Sequence, residues 1–475
     1  MLTTKEFFKN HSFPKLFFLI IIFFSNLALS QMEYVEFKDQ NGNIKKFSRL
    51  ILGSDHLAHE NWTGSGHPQP SEEQIFALMD EAVKNGINVI DTSPIYSGGI
   101  EHIIGKWLQS RKDRIRNDDF YINKNLNPDR KIYVISKGGF PFDLYYSKQL
   151  ETGKHSPELI EELKRQDILK DGKQLSSPLQ NVPPGSYASR LYGDKELIQK
   201  RVAEEIGHTK NNLGNDIELV YLMHRDDFDS IDFKVVPRAQ TQVQKIMEAL
   251  SCFQCSGQFV MLGWSNWTTD RVNESLIISD SKPNLPRPLF NSPYFSLFEM
   301  SERSIHARGI QVTHEEMMDP MFQKGILLST YSPLGGFSIL DKPVPSWEKA
   351  KEDAMNKAKA NDPYWKNVYP AIFTAENEER YARAQELAKT YNSTVDQILN
   401  AYALAHSRVN FLTVGPLTIE QLKRTLESLP LSKKISPAQL DYLYYKNDSE
   451  KNRKKSLYAD KKSTENSCQK VFLKN

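Results

Sequence analysis

Four polar residues stand at or just beyond the ends of short apolar segments. Asp91, Lys137 and His224 each close such a segment, and Tyr96 follows Asp91 in the next loop. A charged group that ends a buried strand is costly unless it has a partner. We therefore expect these side chains to meet at one end of the fold.

The chemistry open to this set is the reduction of a carbonyl group. A carbonyl oxygen that accepts hydride develops negative charge and needs a proton, and a tyrosine hydroxyl with its free pKa of ~10 gives up a proton reluctantly. A neighbouring ammonium stabilises the phenolate and lowers that pKa. Lys137 can do this for Tyr96 while Asp91 holds the lysine, and His224 can orient and polarise the carbonyl. Each residue alone could be an isolated polar strand end, but the set predicts an active site.

Strands that alternate with helices must position these residues. The apolar segments are short and not clearly alternating, as is typical of strands buried on both faces. Eight of them with helices between predict a closed (β/α)8 TIM barrel, an α/β fold, rather than an open doubly wound sheet. An N-terminal β-hairpin with Asn41-Gly42 at its turn precedes the barrel. The predicted strands are Arg49–Gly53, Asn88–Thr92, Lys131–Ser136, Ile217–Met223, Phe259–Trp264, Arg287–Asn291, Gly325–Thr330 and Phe411–Val414.

The predicted helices lie between these strands or follow the last of them. Ser71 is expected to cap the first of them, because Gln74 stands at the capping-box position and the apolar residues that follow lie on one face. The predicted helices are Ser71–Asn85, Asp194–Ile206, Thr241–Leu250, Glu376–Tyr391, Val395–Ala405 and Thr418–Ser428.

Several spaced motifs resemble those of the aldo-keto reductases, over roughly residues 46 to 440. They are Asp91-Thr92-Ser93 with Tyr96 and Glu101-His102-Ile103-Ile104-Gly105-Lys106, then Lys137, His224, Gly263-Trp264-Ser265-Asn266, Tyr331-Ser332-Pro333-Leu334-Gly335, and Val414-Gly415-Pro416 with Glu420-Gln421-Leu422. The resemblance implies an NAD(P)-dependent oxidoreductase that interconverts an aldehyde or ketone and an alcohol. Tyr96 would be its general acid, Asp91 and Lys137 would tune that acid, and His224 would position the carbonyl.

The same resemblance implies a set of cofactor-binding residues. Ser265 and Asn266 would hold the nicotinamide carboxamide, and Tyr331 would stack on the ring. The complete set is Ser265, Asn266, Asn291, Tyr331, Ser332, Leu334, Gly335, Gly415 and Gln421. His56, Trp62 and Trp267 are expected near the substrate, and no metal site is expected.

Two positions depart from the family pattern. Asn291 stands where the family usually has glutamine, and Leu417 stands where a basic residue often pairs with the 2′-phosphate of NADPH. Lys423 or Arg424 could substitute for that basic residue. NADP(H) is therefore favoured only modestly over NAD(H).

The first 30 residues predict an export signal. Lysines precede the apolar run Leu16–Phe24, and Ala28-Leu29-Ser30 places small residues before a cleavage point at Gln31. The run is shorter than the ~20 residues that span a bilayer. We expect a periplasmic or secreted protein, with a secretory lumen or an uncleaved membrane anchor as alternatives.

The rest of the chain divides into a barrel over residues 31–445, with an insertion at about 140–193, and a lysine-rich tail. Long insertions after barrel strands lie at the C-terminal end, where ligands bind. The composition of residues 446–475 predicts disorder. The net charge of +2, from 61 basic and 59 acidic residues, gives no reason to expect nucleic acid.

Export leaves a second function open. Reduced nicotinamide is scarce outside the cytosol, so the barrel could instead bind the cofactor as a sensor or a partner-binding subunit with little turnover. All four predicted catalytic positions are intact, which favours an enzyme acting on a small carbonyl compound.

Overall fold

A computed structural model describes residues 32–55, 57–58, 70–94, 96, 99–119, 121–122, 124, 127, 129–139, 195–226, 242–301, 311–335, 346–359 and 369–472. The strands are β1 (Tyr34–Lys38), β2 (Ile44–Ser48), β3 (Leu50–Gly53), β4 (Val89–Asp91), β5 (Tyr133–Gly138), β6 (Glu218–Met223), β7 (Met261–Ser265), β8 (Phe290–Ser292), β9 (Leu327–Thr330) and β10 (Val409–Val414). Each of the eight predicted barrel strands overlaps one of β3 to β10, so those predictions are confirmed.

The helices of the described residues pack around these strands. They are α1 (Glu72–Lys84), α2 (Ile100–Asn117), α3 (Lys195–Leu213), α4 (Val243–Cys255), α5 (Thr269–Ser281), α6 (His314–Met318), α7 (Trp347–Lys359), α8 (Ala375–Thr390), α9 (Val395–Ala405), α10 (Ile419–Ser432), α11 (Pro437–Tyr444) and α12 (Asp448–Phe472). The predicted capping box of α1 is confirmed, because the side chains of Ser71 and Gln74 each accept from the other's backbone amide.

Eight parallel strands close into a barrel, so the predicted (β/α)8 fold is confirmed. Their order around the barrel is β10-β3-β4-β5-β6-β7-β8-β9. The predicted hairpin is formed by β1 and β2, which pair antiparallel. Its Phe47 ring stacks on Phe290 at 5.6 Å and contacts Tyr133 at 4.5 Å between ring centroids. The hairpin therefore packs against the apolar interior of the barrel.

Alternate residues of each strand face the barrel interior. They form an apolar cluster of Ile51, Val89, Tyr133, Ile135, Val220, Leu222, Met261, Phe290 and Phe411, which Phe47 joins. Residues of the opposite parity, such as Leu52 and Leu262, pack in the larger cluster that includes the helices. This alternation decides which strand-end residues face the interior and which face the helix layer.

The prediction of a disordered tail is wrong for the described part of it. Residues 448–472 form the helix α12, whose lysines meet carboxylates on the loop after β8 and on and beside α6. Lys454 donates to Glu299 at 2.9 Å, and Lys461 donates to Glu316 at 2.7 Å. Composition alone predicts that these lysines are solvated. It does not reveal their acidic partners, because these lie more than 100 residues away along the chain.

Some predictions fall outside the described residues. They concern the N-terminal segment up to Gln31, the insertion at about 140–193, and the two residues His56 and Trp62. Across the described ranges, every helix is either too short or too polar to cross a membrane.

Candidate active site

Three of the four predicted catalytic side chains make direct contact. The Lys137 ammonium donates to Asp91 Oδ1 at 2.5 Å and to Tyr96 Oη at 2.8 Å. The carbonyl of Thr92 accepts a third bond from the same ammonium at 3.0 Å. Lys137 and Asp91 are almost completely buried, while Tyr96 is partly exposed. The hydroxyl of Tyr96 is therefore joined through the lysine to the buried carboxylate.

Strand geometry explains why these groups converge. Asp91 lies two residues after Val89 on β4, and Lys137 lies two residues after Ile135 on the neighbouring strand β5. Side chains two residues apart on a strand face the same side, so Asp91 and Lys137 face the barrel interior as Val89 and Ile135 do. His224 directly follows β6, and its backbone amide donates to Gly138 O at 2.7 Å. The C-terminal ends of three adjacent parallel strands thus bring their polar residues into the same end of the barrel.

The imidazole of His224 adjoins this group. Its ring lies 5.8 Å from the Tyr96 ring between centroids, with the planes at 78°. Burial, together with the positive charges of Lys137 and Arg225, holds the pKa of His224 well below its ordinary value. The imidazole is therefore neutral at neutral pH.

The Ser93 hydroxyl is a contact of the histidine to which the sequence analysis gave no role. Ser93 Oγ lies 3.2 Å from His224 Nδ1 and 3.4 Å from Lys137 O. A hydroxyl has a single proton to donate, so it can serve only one of these acceptors at a time. Ser93 can therefore influence which nitrogen of the imidazole carries the proton.

A buried carboxyl on α2 packs behind the lysine strand. Glu101 accepts from Ser136 Oγ at 2.5 Å and from Thr209 Oγ1 at 3.3 Å. Burial raises the pKa of Glu101 to about 7, although these hydrogen bonds act against the rise. The sequence analysis included Glu101 in a motif but gave it no role.

A second group of polar residues follows β7 and β9. Tyr331 Oη donates to Asn266 Oδ1 at 2.5 Å, and Asn266 Nδ2 donates to His224 O at 2.9 Å. Ser265 Oγ accepts from the same amide at 3.2 Å. Asn266 has a φ of +57°, a left-handed conformation that asparagine tolerates better than most residues. The structure thus brings Ser265, Asn266 and Tyr331 together beside His224.

The residues after Tyr331 form a tight turn. Ser332 and Gly335 have φ values of +55° and +80°, and the amide of Gly335 donates to Ser332 O at 2.9 Å. Leu334 lies in the same turn and is half-buried. These three predicted cofactor residues are therefore contiguous with the Asn266 and Tyr331 pair.

The last two predicted cofactor residues lie after β10. Gly415 directly follows that strand. Gln421 belongs to the capping box of α10, where its Oε1 accepts from the amide of Leu417 at 2.6 Å. Arg424 is paired with Asp396 at 3.2 Å and lies 3.7 Å from Glu420. Acidic partners therefore already surround one of the two basic residues considered for a phosphate.

Asn291 is not among the predicted cofactor residues that the structure brings together beside His224. Its interior-facing neighbour is Phe290, so Asn291 faces the helices, where its Nδ2 donates to Gln323 Oε1 at 2.9 Å. Gln323 in turn donates to Thr269 on α5 at 3.3 Å. Ser292, two residues after Phe290, faces the barrel interior instead and pairs in register with Ser265. The structure therefore places Ser292, and not Asn291, on the side of β8 that faces the barrel interior.

Trp267, which the sequence analysis expected near the substrate, packs against a neighbouring tryptophan. Its ring stacks on Trp264 at 4.2 Å with the planes at 21°, and the guanidinium of Arg271 lies 5.1 Å from it. Trp264 donates to Ser275 on α5, so this stack belongs to the helix layer. Trp267 is 1% exposed and packs within this layer.

Comparisons with known proteins agree with this geometry. The family model described as "Aldo/keto reductase family" matches residues 49–165 and 195–444. A protein of Schizosaccharomyces pombe named "Putative aryl-alcohol dehydrogenase" is 24% identical over 407 residues, which cover 84% of this chain and 92% of the relative. A second protein of that organism with the same description is 23% identical over 379 residues, covering 78% and 91%.

Proposed function

Because the chain belongs to the aldo/keto reductase family, we propose that it reduces an aldehyde or ketone to the alcohol with NAD(P)H, or runs the reverse reaction, with Tyr96 as the general acid. The observation that carries this proposal is the ammonium of Lys137, which bonds both Tyr96 and Asp91. A buried cation at 2.8 Å from a tyrosine hydroxyl favours the phenolate that remains after proton donation.

The polar group beside His224 has the chemistry that a nicotinamide needs. A carboxamide on Asn266 and a hydroxyl on Ser265 can pair with the amide of the ring, and the partly exposed ring of Tyr331 offers a face for stacking. The turn from Ser332 to Gly335 would hold the diphosphate of the cofactor. The bound reduced cofactor supplies the two electrons and the hydrogen that the carbonyl carbon receives.

The protein's own residues then handle the proton and the carbonyl oxygen. We propose that Ser93 donates to His224 Nδ1, its shorter contact, which leaves the proton on Nε2 as a donor to the carbonyl oxygen. Tyr96 donates its proton to that oxygen as negative charge develops there. Lys137 stabilises the resulting phenolate, and Asp91 holds the lysine in place.

The names of the two relatives suggest the substrate class. Both are described as aryl-alcohol dehydrogenases, so we propose an aromatic aldehyde and its alcohol as the substrate pair. NADP(H) remains modestly favoured over NAD(H). We also propose that residues 1–30 direct export of the chain, as their pattern predicts.

Tyr96→Phe tests the mechanism. We expect carbonyl reduction to fall ~100- to 10,000-fold, the usual contribution of general acid catalysis, while the cofactor Kd changes little. The assay follows cofactor oxidation with benzaldehyde, and cofactor binding is titrated separately. Tyr391→Phe is the matched control, since its hydroxyl bonds Lys434 O away from this site. Near-wild-type turnover of Tyr96→Phe would refute the assignment, and wild-type protein that binds cofactor without turnover would favour the sensor alternative.

A further inference from the structure

Strand β5 has a second, helix-facing side directly behind the lysine. Lys137 faces the interior, and the next residue, Gly138, faces the helix layer, where there is no room for a side chain. A Cβ at Gly138 would overlap both Tyr221 Oη and the Glu205 carboxylate. The strand end is thus in close contact with a buried carboxylate of α3.

Glu205 holds the backbone at this point. Its Oε2 accepts from the amide of Gly139 at 2.7 Å and from Tyr221 Oη at 3.2 Å. Glu205 is 1% exposed, and Gly139 has a φ of +73°. Two successive glycines give this segment more conformational freedom than any other residue pair would, so an external bond is needed to fix it.

The same segment is held from the opposite side by the histidine. The amide of His224 donates to Gly138 O at 2.7 Å, and the Glu205 carboxylate binds the next amide along the chain. The peptide group that joins Gly138 to Gly139 is therefore held at its carbonyl by the residue after β6 and at its amide by α3. Lys137 directly precedes Gly138, and His224 binds the Gly138 carbonyl, so both residues adjoin this peptide group.

We propose that Glu205 is a positioning residue for the reaction proposed above: its carboxylate fixes the Gly138-Gly139 turn and thereby places the Lys137 ammonium against Tyr96. This inference rests on the proposed function. Glu205 binds the amide that lies two residues beyond Lys137, so its effect on the ammonium passes through the backbone. Displacement of a catalytic group by about 1 Å can cost ~100-fold in rate.

Three variants separate the hydrogen bond from the charge. Glu205→Gln keeps an oxygen that can accept from Gly139 and Tyr221, Glu205→Met has a similar shape without an acceptor, and Glu205→Asp keeps the charge but shortens the reach. Glu316→Gln is the control, because Glu316 is equally buried but lies on α6. All are compared by thermal unfolding and cofactor titration before kinetics.

The first measurement is hydrogen exchange of the Gly139 amide, by mass spectrometry of peptides spanning residues 133–139. We expect faster exchange in Glu205→Met and Glu205→Asp, and protection close to wild type in Glu205→Gln and Glu316→Gln. This readout needs no substrate. It therefore decides whether Glu205 fixes the turn even if the proposed reaction fails the Tyr96→Phe test.

The second measurement is the pH profile of kcat with benzaldehyde. In Glu205→Met we expect kcat to fall ~10- to 100-fold, while the cofactor Kd stays within about threefold of the wild-type value. The midpoint of the high-pH fall in kcat should move to higher pH, because an ammonium farther from Tyr96 lowers the tyrosine pKa less. Glu205→Gln should remain within about threefold of wild type. If Glu205→Met does not fold, Glu205→Asp is expected to show the same loss and shift.

Two results would overturn the proposal. One is a folded Glu205→Met or Glu205→Asp variant with kcat within twofold of wild type and an unshifted midpoint. The other is a Glu205→Gln variant that loses as much activity as Glu205→Met while Gly139 stays protected, which would assign the effect to charge.

Discussion

The buried pair of Lys137 and Asp91 makes a quantitative prediction about stability. Its nitrogen and oxygen lie 2.5 Å apart, and the two side chains are 3% and 8% exposed. Removing one member of such a pair leaves an uncompensated buried charge, at a cost of about 3–5 kcal/mol. We expect Lys137→Met to lower the free energy of unfolding by that amount.

The double variant should recover part of this loss. In Asp91→Asn/Lys137→Met no charge is left unpaired, so its cost should be smaller than the sum of the single costs by on the order of 1–3 kcal/mol. The exposed pair of Lys112 and Asp216 serves as the control cycle, where water screens the charges and no measurable coupling is expected.

The single variant should also change its response to pH. Burial raises the pKa of Asp91, and the ammonium that opposes this rise is absent in Lys137→Met. A carboxyl whose pKa is higher in the folded than in the unfolded state binds a proton on folding, so it stabilises the fold at low pH and loses that contribution as pH rises through the folded-state pKa. Lys137→Met should therefore lose less stability at pH 5 than at pH 8.

Urea unfolding of the four proteins in each cycle, followed by circular dichroism at both pH values, tests this reasoning. Equal slopes against urea are required for the free energies to be compared. If the stability losses of the two single variants sum to that of the double variant within about 0.5 kcal/mol, the reasoning is refuted, because independent sites add in that way. A Lys137→Met loss that does not depend on pH would show that Asp91 does not retain the uncompensated charge.

Three further predictions concern the site and the N-terminus. The Kd values for NADPH and NADH should differ less than about tenfold, because Leu417 offers no charge and Arg424 is engaged by acidic residues. Titration of both cofactors checks this, and a larger NADPH preference would contradict it. A preference that survives loss of both Lys423 and Arg424 would show that Leu417 is not the position facing the phosphate. The pH profile of kcat/KM should show no inflection from His224 between pH 6 and 7.5, since the pKa of this histidine lies well below its ordinary value. An inflection near pH 6.5 that disappears in His224→Gln would contradict that. Peptide mapping of the exported protein should show Gln31 as the first residue, whereas a retained Met1 would contradict cleavage.

The sequence was sufficient to predict the barrel and the convergence of Asp91, Lys137 and His224 at one end of it, because both depend on signals that are local in the chain. Short apolar runs that end in Asp91, Lys137 and His224 specify parallel strands and their polar ends. Parallel strands whose ends meet at one end of a barrel then bring these residues together. No long-range information is needed for that step.

Other features depend on contacts that the sequence does not reveal. Asn291 and Ser292 are both small polar residues at the end of β8, and only the register with β7 shows that Ser292 faces the interior. Trp267 follows Asn266 directly, yet its ring turns to Trp264. Glu205 lies in the middle of a helix, and its partner Gly139 is 66 residues away along the chain.

The lysine contacts of α12 give the end of the chain an electrostatic function. Glu299, Glu316 and Asp319 form an acidic rim, and α12 supplies its counter-ions as part of the same polypeptide. Burial alone would raise the pKa of Glu299, but the charges of Arg380 and Lys454 outweigh it and hold that pKa at about 2, so Glu299 stays charged at any physiological pH. Dissolved salt screens such contacts over ~10 Å at 0.1 M and also replaces a missing counter-ion. Added salt should thus loosen α12 in a chain that carries this helix, yet stabilise a chain that ends before it.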